Sequence, residues 1–288
     1  MKIRNIICIV ICILLIGFLK IHAQNKPLRF ISYNIYQGMR LDITSEKSLF
    51  SFWVKTVNPD VLALEEVTNF TQKSIEKLAM SYGHSYAVLL KEDGFKYPVA
   101  LTSKFPIIDA HKVTDNMDRG FIMAQVGTYH VVVLHLSPFT VAQRNREADI
   151  VIETIKAYPH CYKWLIMGDF NALSPRDSLN YLDGKLLDAY KKSDLKYESH
   201  NNIPAGSLDY CVIGKFLNAG FIDALYYKNK NEDLSSRPTK TNPNAVQSRI
   251  DYVFVSKNMA KKILYTKTIK DDFTNHYSDH YPVLVEFK

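Results

Sequence analysis

The sequence predicts an α/β domain built on mixed β-sheet, and three observations predict it. Seven runs rich in Val, Ile, Leu, Phe and Tyr are bounded by turn residues. Apolar residues at helical spacing fall between several of those runs. Other runs follow one another with no helix between, which fits a mixed sheet better than a purely parallel one.

The first predicted strand is "RFISYNI" (29–35). A helix follows over 46–57, where Leu49, Phe50, Trp53, Val54 and Val57 share a face, and then the strand "VLALEEV" (61–67). Ile75, Leu78, Ala79 and Tyr82 mark a helix over 69–82, and "VALTS" (99–103) is the third strand. "YHVVVLHL" (129–136) leads into a helix over 141–158, carried by Ala148, Val151, Ile152 and Ile155 and stopped by Pro159. "WLIMGDF" (164–170), "IDYVFVS" (250–256) and "PVLVEF" (282–287) complete the set. Residues 228–245 hold almost no apolar group and read as a long solvated loop. The strands after it are too few to bury a core of their own, so residues 24–288 are expected to form one domain.

Residues 1–23 stand apart. Lys2 and Arg4 precede the uncharged run "IICIVICILLIGFL", and Ala23 ends a small-residue cleavage pattern. That order reads as a secretory signal peptide, so the mature chain is expected to be secreted or periplasmic, with an uncleaved anchor as the alternative. Loss of Lys2, Arg4 and Lys20 takes the formal charge from +7 to +4, which tolerates an anionic substrate without demanding one. The mature chain keeps Cys161 and Cys211, expected as two separate buried thiols, although export permits a disulfide.

The predicted strands end in reactive polar groups. Asn34 ends the first, Glu65 and Glu66 the second, His135 the fourth, and Asp169 and Asn171 the fifth; Asp251 opens the sixth, and Asp279 and His280 precede the last. Ligand sites in sheet proteins gather at strand ends. Taken singly, each of these residues is an ordinary turn or surface residue, and only a folded sheet could bring them together. If they converge, the carboxylates and amide oxygen with no thiolate suit Mg²⁺ or Mn²⁺. Histidines beside carboxylates can move protons near neutral pH, with Asp251 orienting His280. This set describes phosphate-ester hydrolysis better than acyl or hydride transfer. Period-2 alternation puts Asp169 and Asn171 on one side if the extended backbone continues.

The ordered segments "SYNI", "PDVLALEEV", "YPVALTSKFPI", "VVVLHLSPF", "WLIMGDFNALS", "SRIDYVFVS" and "YSDHYPVLVEF" resemble the motif series of the endonuclease/exonuclease/phosphatase superfamily. The resemblance spans about residues 28 to 288. It implies a four-layer α/β/β/α sandwich with two mixed sheets face to face, and a Mg²⁺- or Mn²⁺-dependent phosphohydrolase. It implies Glu66 as metal ligand with Asn34 beside it and Asp279 near it. Asp169 and Asn171 then bind the attacking water and the phosphate. His135 stabilises or protonates, and the Asp251–His280 pair acts on the water or the scissile phosphate. Asp169 and His280 both stand as general base, with one or two metal ions. The substrate classes implied are nucleic acid, membrane lipid head groups and inositol phosphates, handled by a monomer; a catalytically silent phosphate-binding module is the rival.

Three positions depart from the pattern or lack context. Glu65 stands where the family often has Gln, and is expected either to perturb a neighbour or to face away. Tyr36 stands where some members have an acid or His. Arg119 in "DRGF" faces a phosphate or is merely solvated, the latter being commoner. His84, His111, His130, His160, His200 and His276 are expected to be structural.

Overall fold

Parallel pairing at the centre of two sheets explains where the polar strand ends go. The structure, a computed structural model, describes residues 26–92, 96–230 and 232–288; the expected leader lies outside them. One sheet contains β1 (Leu28–Asn34), β2 (Val61–Glu65), β3 (Tyr86–Leu90), β4 (Val99–Ser103), β11 (Ile263–Thr268) and β12 (Val283–Phe287), in the order β11-β12-β1-β2-β4-β3. The other contains β5 (Ile107–Val113), β6 (Phe121–Val126), β7 (Tyr129–His135), β8 (Trp164–Asp169), β9 (Phe221–Asp223) and β10 (Asp251–Ser256), in the order β5-β6-β7-β8-β10-β9. In each sheet the two central strands are parallel, β1 with β2 and β7 with β8, and their other neighbours are antiparallel.

Parallel neighbours end at the same edge. Asn34 is therefore level with Glu65, and His135 with Asp169. Antiparallel β10 starts where β8 finishes, so Asp251 pairs with Asp169. β12 runs against β1, which puts residues just ahead of β12 beyond the end of β1. Ser278 fastens that junction, donating from Oγ to the Asn34 carbonyl at 2.7 Å.

Strand alternation decides which groups face inward. Phe30, Ala63, Val131, Val133, Leu165, Met167 and Val253 fill the space between the sheets. The same parity aims Ser32, Asn34, Glu65, His135, Asp169 and Asp251 into one end of it. The opposite faces are covered by helices. α1 (Ser48–Val57) and α2 (Gln72–Ser81) pack on the first sheet through Phe50, Trp53, Ile75 and Leu78. α3 (Val141–Lys156) and α5 (Cys211–Asn218) pack on the second through Val151, Ile152, Val212 and Phe216. Between them in the chain lies α4 (Lys185–Lys196); α6 (Ala224–Lys228) and α7 (Asp272–Tyr277) are short. The result is the four-layer α/β/β/α sandwich.

α2 starts at a capping box in which the Thr71 and Ser74 side chains each accept from the other's main-chain N–H. α3 starts at Thr140, whose side chain accepts from Gln143 N–H, and ends at Lys156, short of Pro159. Among the described residues of 228–245 there is no regular element after Lys228, but they are not merely solvated. Leu234, Ser235, Ser236 and Thr239 are buried, and Arg237 bridges antiparallel to Ser248. The cysteines also differ from expectation: both are free thiols, but Cys161 is half-buried and Cys211 exposed. Among the described residues, no helix is long and apolar enough to cross a membrane.

Candidate active site

The turn after β1 and the turn after β2 lock together. Tyr36, Gln37, Gly38 and Met39 all have positive φ, as does Glu66 at 60°. Gly38 makes this possible: a Cβ there would lie 2.3 Å from the Thr68 carbonyl oxygen. Gly38 N–H donates to the Glu66 carbonyl at 2.6 Å, and Gln37 N–H donates to Glu66 Oε2 at 3.0 Å. The left-handed Glu66 turns its carboxylate off the strand direction into the cleft, where it is half-buried. Non-glycine residues in this conformation are strained and concentrate at functional sites.

Asn34 joins this acid to a second one. Its Nδ2 donates to Glu66 Oε1 at 3.3 Å and to Asp169 Oδ2 at 3.1 Å, while its Oδ1 accepts from Tyr36 N–H at 3.1 Å. The amide oxygen is thus committed to the backbone. Asn34 thereby positions two carboxylates, and its Oδ1 keeps a second lone pair.

Asp169 sits at the end of β8, where the chain presses against β7. A Cβ on Gly168 would lie 2.0 Å from the Leu134 carbonyl oxygen, so only glycine fits there. The extended backbone stops at Asp169. Asn171 has φ of 48° and donates its N–H back to Asp169 Oδ1 at 2.8 Å. Alternation therefore does not place Asn171; a local turn does. Its Nδ2 donates to the Leu136 carbonyl at 3.0 Å, which tethers the amide beside His135.

Two histidines flank Asp169. His135 Nε2 lies 3.3 Å from Asp169 Oδ2, and His280 Nδ1 lies 3.9 Å from the same oxygen. His280 Nδ1 bonds to Asp251 Oδ2 at 2.8 Å, leaving Nε2 without a hydrogen bond among the described residues. All four groups are buried. Burial raises Asp169, but the charges of His135 and His280 and hydrogen bonds from His135 and Asn171 outweigh it and hold it well below the usual carboxylate range. Burial likewise lowers His280, but Asp251, Asp279 and Asp169 overcome that and push it up to about 10. Burial raises Asp251, with His280 opposing.

Arg119 is not the solvated residue that sequence statistics favour. It is buried, its guanidinium lies 4.6 Å over the Tyr97 ring, and its Nη1 contacts His135 Nε2. His135 Nδ1 is buried without a partner. The loops that carry Arg119 and His135 are tied by Glu147 of α3, which accepts from Asp118 N–H and Ser137 N–H at 2.8 Å each. Nothing in "NREADI" marks Glu147 for this; a buried acid on an amphipathic helix reads as a surface acid until the loops are in place.

Glu65 faces the inter-sheet space, fully buried. Ser32 Oγ donates to its Oε1 at 3.0 Å and Oε2 has no partner. Burial raises it well above the usual carboxylate range, reinforced by Asp251 and Asp169. Asp279 is half-buried, with Oδ2 4.0 Å from Arg237 Nη2. His84 is structural as expected, bonded to Thr102 and Pro59, and His111, His130, His160, His200 and His276 lie on other parts of the fold.

The open donors are hard oxygens. One amide nitrogen touches both Glu66 and Asp169, so those carboxylates lie close together at the cleft, and among the described residues no thiol contacts them. That chemistry fits Mg²⁺ or Mn²⁺. Asp169, Asp251 and His280 also place one ligand atom each within 4.8 Å of one another. Those residues also make the imidazole–carboxylate contacts, and both Glu66 oxygens accept hydrogen bonds, from Asn34 and from Gln37.

A sequence model of the Endonuclease/Exonuclease/phosphatase family matches residues 31–280. Similar solved structures include an AP endonuclease from Archaeoglobus fulgidus, at TM-score 0.64 and 17% identity over 91% of this chain and 99% of that one. The 3′ phosphatase NExo from Neisseria, bound to product DNA hairpin, is similar at TM-score 0.64 and 19% identity over 91% and 99%. A humanized D. rerio TDP2 is similar at TM-score 0.59 and 19% identity over 91% and 99%. No curated protein matches the sequence.

Proposed function

The chain belongs to the endonuclease/exonuclease/phosphatase family, and on that premise we propose that it is an exported, divalent-metal-dependent phosphoesterase acting as a monomer. The observation that carries the reading is the bridge from Asn34 to Glu66 and Asp169, beside the Asp251–His280 pair. Together these gather an open carboxylate, a buried anion and a buried imidazole at one cleft.

Glu66 and Asp279 would hold Mg²⁺ or Mn²⁺, with Asn34 fixing the Glu66 carboxylate. The ion supplies Lewis-acid stabilisation of charge on phosphoryl and leaving-group oxygens when bound. Asp169, held ionised by two histidines, accepts from the attacking water and orients it in line. His280, held protonated by Asp251, donates from Nε2 to a phosphoryl oxygen. This assigns the base role to Asp169, because His280 keeps its proton near neutral pH. Arg119 Nη1 and His135 Nε2 face each other beside Asp169. Arg119 would donate to a phosphate oxygen, a stronger acceptor than an imidazole nitrogen, and His135 beside it would stabilise the same group. Asn171 adds its amide to the same oxygens.

The Neisseria neighbour, a 3′ phosphatase bound to DNA, makes nucleic acid the first substrate to test. The test is a panel: the chain from residue 24 with Mg²⁺ or Mn²⁺ against DNA, RNA, phospholipid, inositol phosphate and a chromogenic phosphodiester. Metal-dependent hydrolysis of one class supports the reading and names the substrate; hydrolysis of none replaces it with a phosphate-binding module.

A further inference from the structure

The ring of His135 has few contacts to orient it. Nδ1 is buried without a partner, and Nε2 meets Arg119 Nη1 and Asp169 Oδ2. A working imidazole is commonly fixed by a hydrogen bond on its far nitrogen, and His135 has none among the described residues. Its placement therefore falls to the backbone that carries it.

The backbone after His135 is committed at every polar group. Leu136 N–H donates to Asp169 O at 2.9 Å, and Leu136 O accepts from Asn171 Nδ2 at 3.0 Å. Two charged side chains of α3 grip Ser137 from opposite sides. Its N–H donates to Glu147 Oε2 at 2.8 Å, and its carbonyl accepts from Arg144 Nη1 at 3.1 Å. The other Glu147 oxygen, Oε1, accepts from Asp118 N–H at 2.8 Å, one residue before Arg119. One carboxylate thus spans the two loops that meet at the Arg119–His135 contact.

Arg144 and Glu147 lie three apart on α3, and both are buried, where charged side chains are rare unless their hydrogen bonds are used. They spend those bonds on the main chain of the site loops rather than on each other. The second arm of Arg144 is anchored elsewhere: Nη2 donates to Asn202 Oδ1 at 2.8 Å. Asn202 in turn donates from N–H and Nδ2 to Asp194 of α4, at 2.7 and 3.1 Å. The grip on Ser137 is therefore backed by two helices.

We propose that Glu147 and Arg144 are positioning residues for the Arg119–His135 pair, setting from outside the cleft where both groups stand against Asp169. The inference rests on the phosphoesterase reading of that cleft. Misplacing a reacting group by about 1 Å can cost on the order of 10²-fold in rate, so two backbone clamps of this kind carry a kinetic effect without touching substrate.

Glu147→Gln tests this. It keeps the shape of the side chain but turns an NH₂ toward one of the two backbone N–H donors, which releases one loop. With Mn²⁺ and bis(p-nitrophenyl) phosphate, kcat is expected to fall by about 10²-fold, with KM and Mn²⁺ affinity near wild type. In NMR spectra the His135 ring signals should shift. In a His135→Ala background the same change should cost far less, because its effect runs through the missing ring. If Glu147→Gln melts early, Asn202→Ala carries the test, loosening Arg144 while leaving α3 intact and giving a smaller loss of the same kind. Wild-type kcat with unmoved ring signals in a folded variant overturns the proposal, and so does an undiminished loss in the His135→Ala background. If wild type hydrolyses nothing, the phosphoesterase reading fails by itself and the ring signals decide the clamp: shifted signals keep it, and unmoved signals overturn it.

Discussion

Asp251 Oδ2 and His280 Nδ1 meet at 2.8 Å in a buried site, joining the first residue of β10 to the turn before β12. Burial opposes charge on His280, yet this contact and the fields of Asp279 and Asp169 push it up to about 10. Asp251→Asn should return the imidazole toward or below its usual range, read by NMR titration of the ring. Turnover at pH 7 should fall by about 10²–10⁴ as the positioned donor is lost. The folded value lies above the unfolded one, so the pair's contribution to stability is complete below about pH 6.5 and is lost as pH rises toward 10. The stability gap between wild type and variant should shrink across that window in urea melts.

Asn34→Ala removes the amide that spans Glu66 and Asp169. Outer partners of ligating carboxylates commonly contribute about 10–100-fold to metal affinity. Titration of Mn²⁺ should show a loss of that size in a folded protein, while an unchanged affinity would remove Asn34 from any positioning role.

Glu65→Gln should stabilise the protein at neutral pH. The folded state holds a proton on Glu65 that the unfolded chain has released above about pH 4.5, so this acid lowers stability progressively as pH rises, until the folded carboxyl itself ionises. The variant's advantage should grow by about 1.4 kcal/mol per pH unit over that range. Chemical denaturation at pH 4, 6 and 8 checks the slope.

His84 offers the opposite dependence. A directed chain fits its contacts: Tyr82 O–H to Thr102 Oγ1 at 3.1 Å, Thr102 O–H to His84 Nδ1 at 2.9 Å, and His84 Nε2–H to Pro59 O at 2.9 Å. Burial lowers His84 to about 4, and a protonated ring would turn the chain against itself. The unfolded state takes up the proton first, so stability falls as pH drops from about 6.5 to 4, by on the order of 3 kcal/mol. His84→Gln should flatten that part of the profile.

Much of the fold was legible because alternation and parallel pairing are coded locally. The strand at Val99–Ser103 falls where the sequence puts it, and β7, β8 and β10 agree within a residue. Among the described residues, five strands were not legible. β5 is half to fully exposed along its length and carries Asp109, His111 and Lys112, so no apolar run betrays it. β9 has three residues, and in β6 the strand formers Phe121, Ile122 and Val126 are interrupted by Met123, Ala124 and Gln125. At the site, strand ends announce Asn34, Glu66, His135, Asp169 and Asp251 as a set, and register brings them to one edge. The hydrogen bonds from Asn34 to Glu66 and Asp169 and the burial of Arg119 under Tyr97 depend on turns and loops from distant segments. Such contacts leave no periodic trace in a sequence.

The most direct test of the account is hydrolysis of bis(p-nitrophenyl) phosphate by the chain from residue 24, wild type and Glu66→Gln, with Mn²⁺ and then with excess EDTA. The account predicts turnover by wild type that EDTA abolishes, and a loss of about 10²-fold or more in a Glu66→Gln protein that melts like wild type. Wild-type rates from Glu66→Gln, or turnover that persists in EDTA, would contradict it.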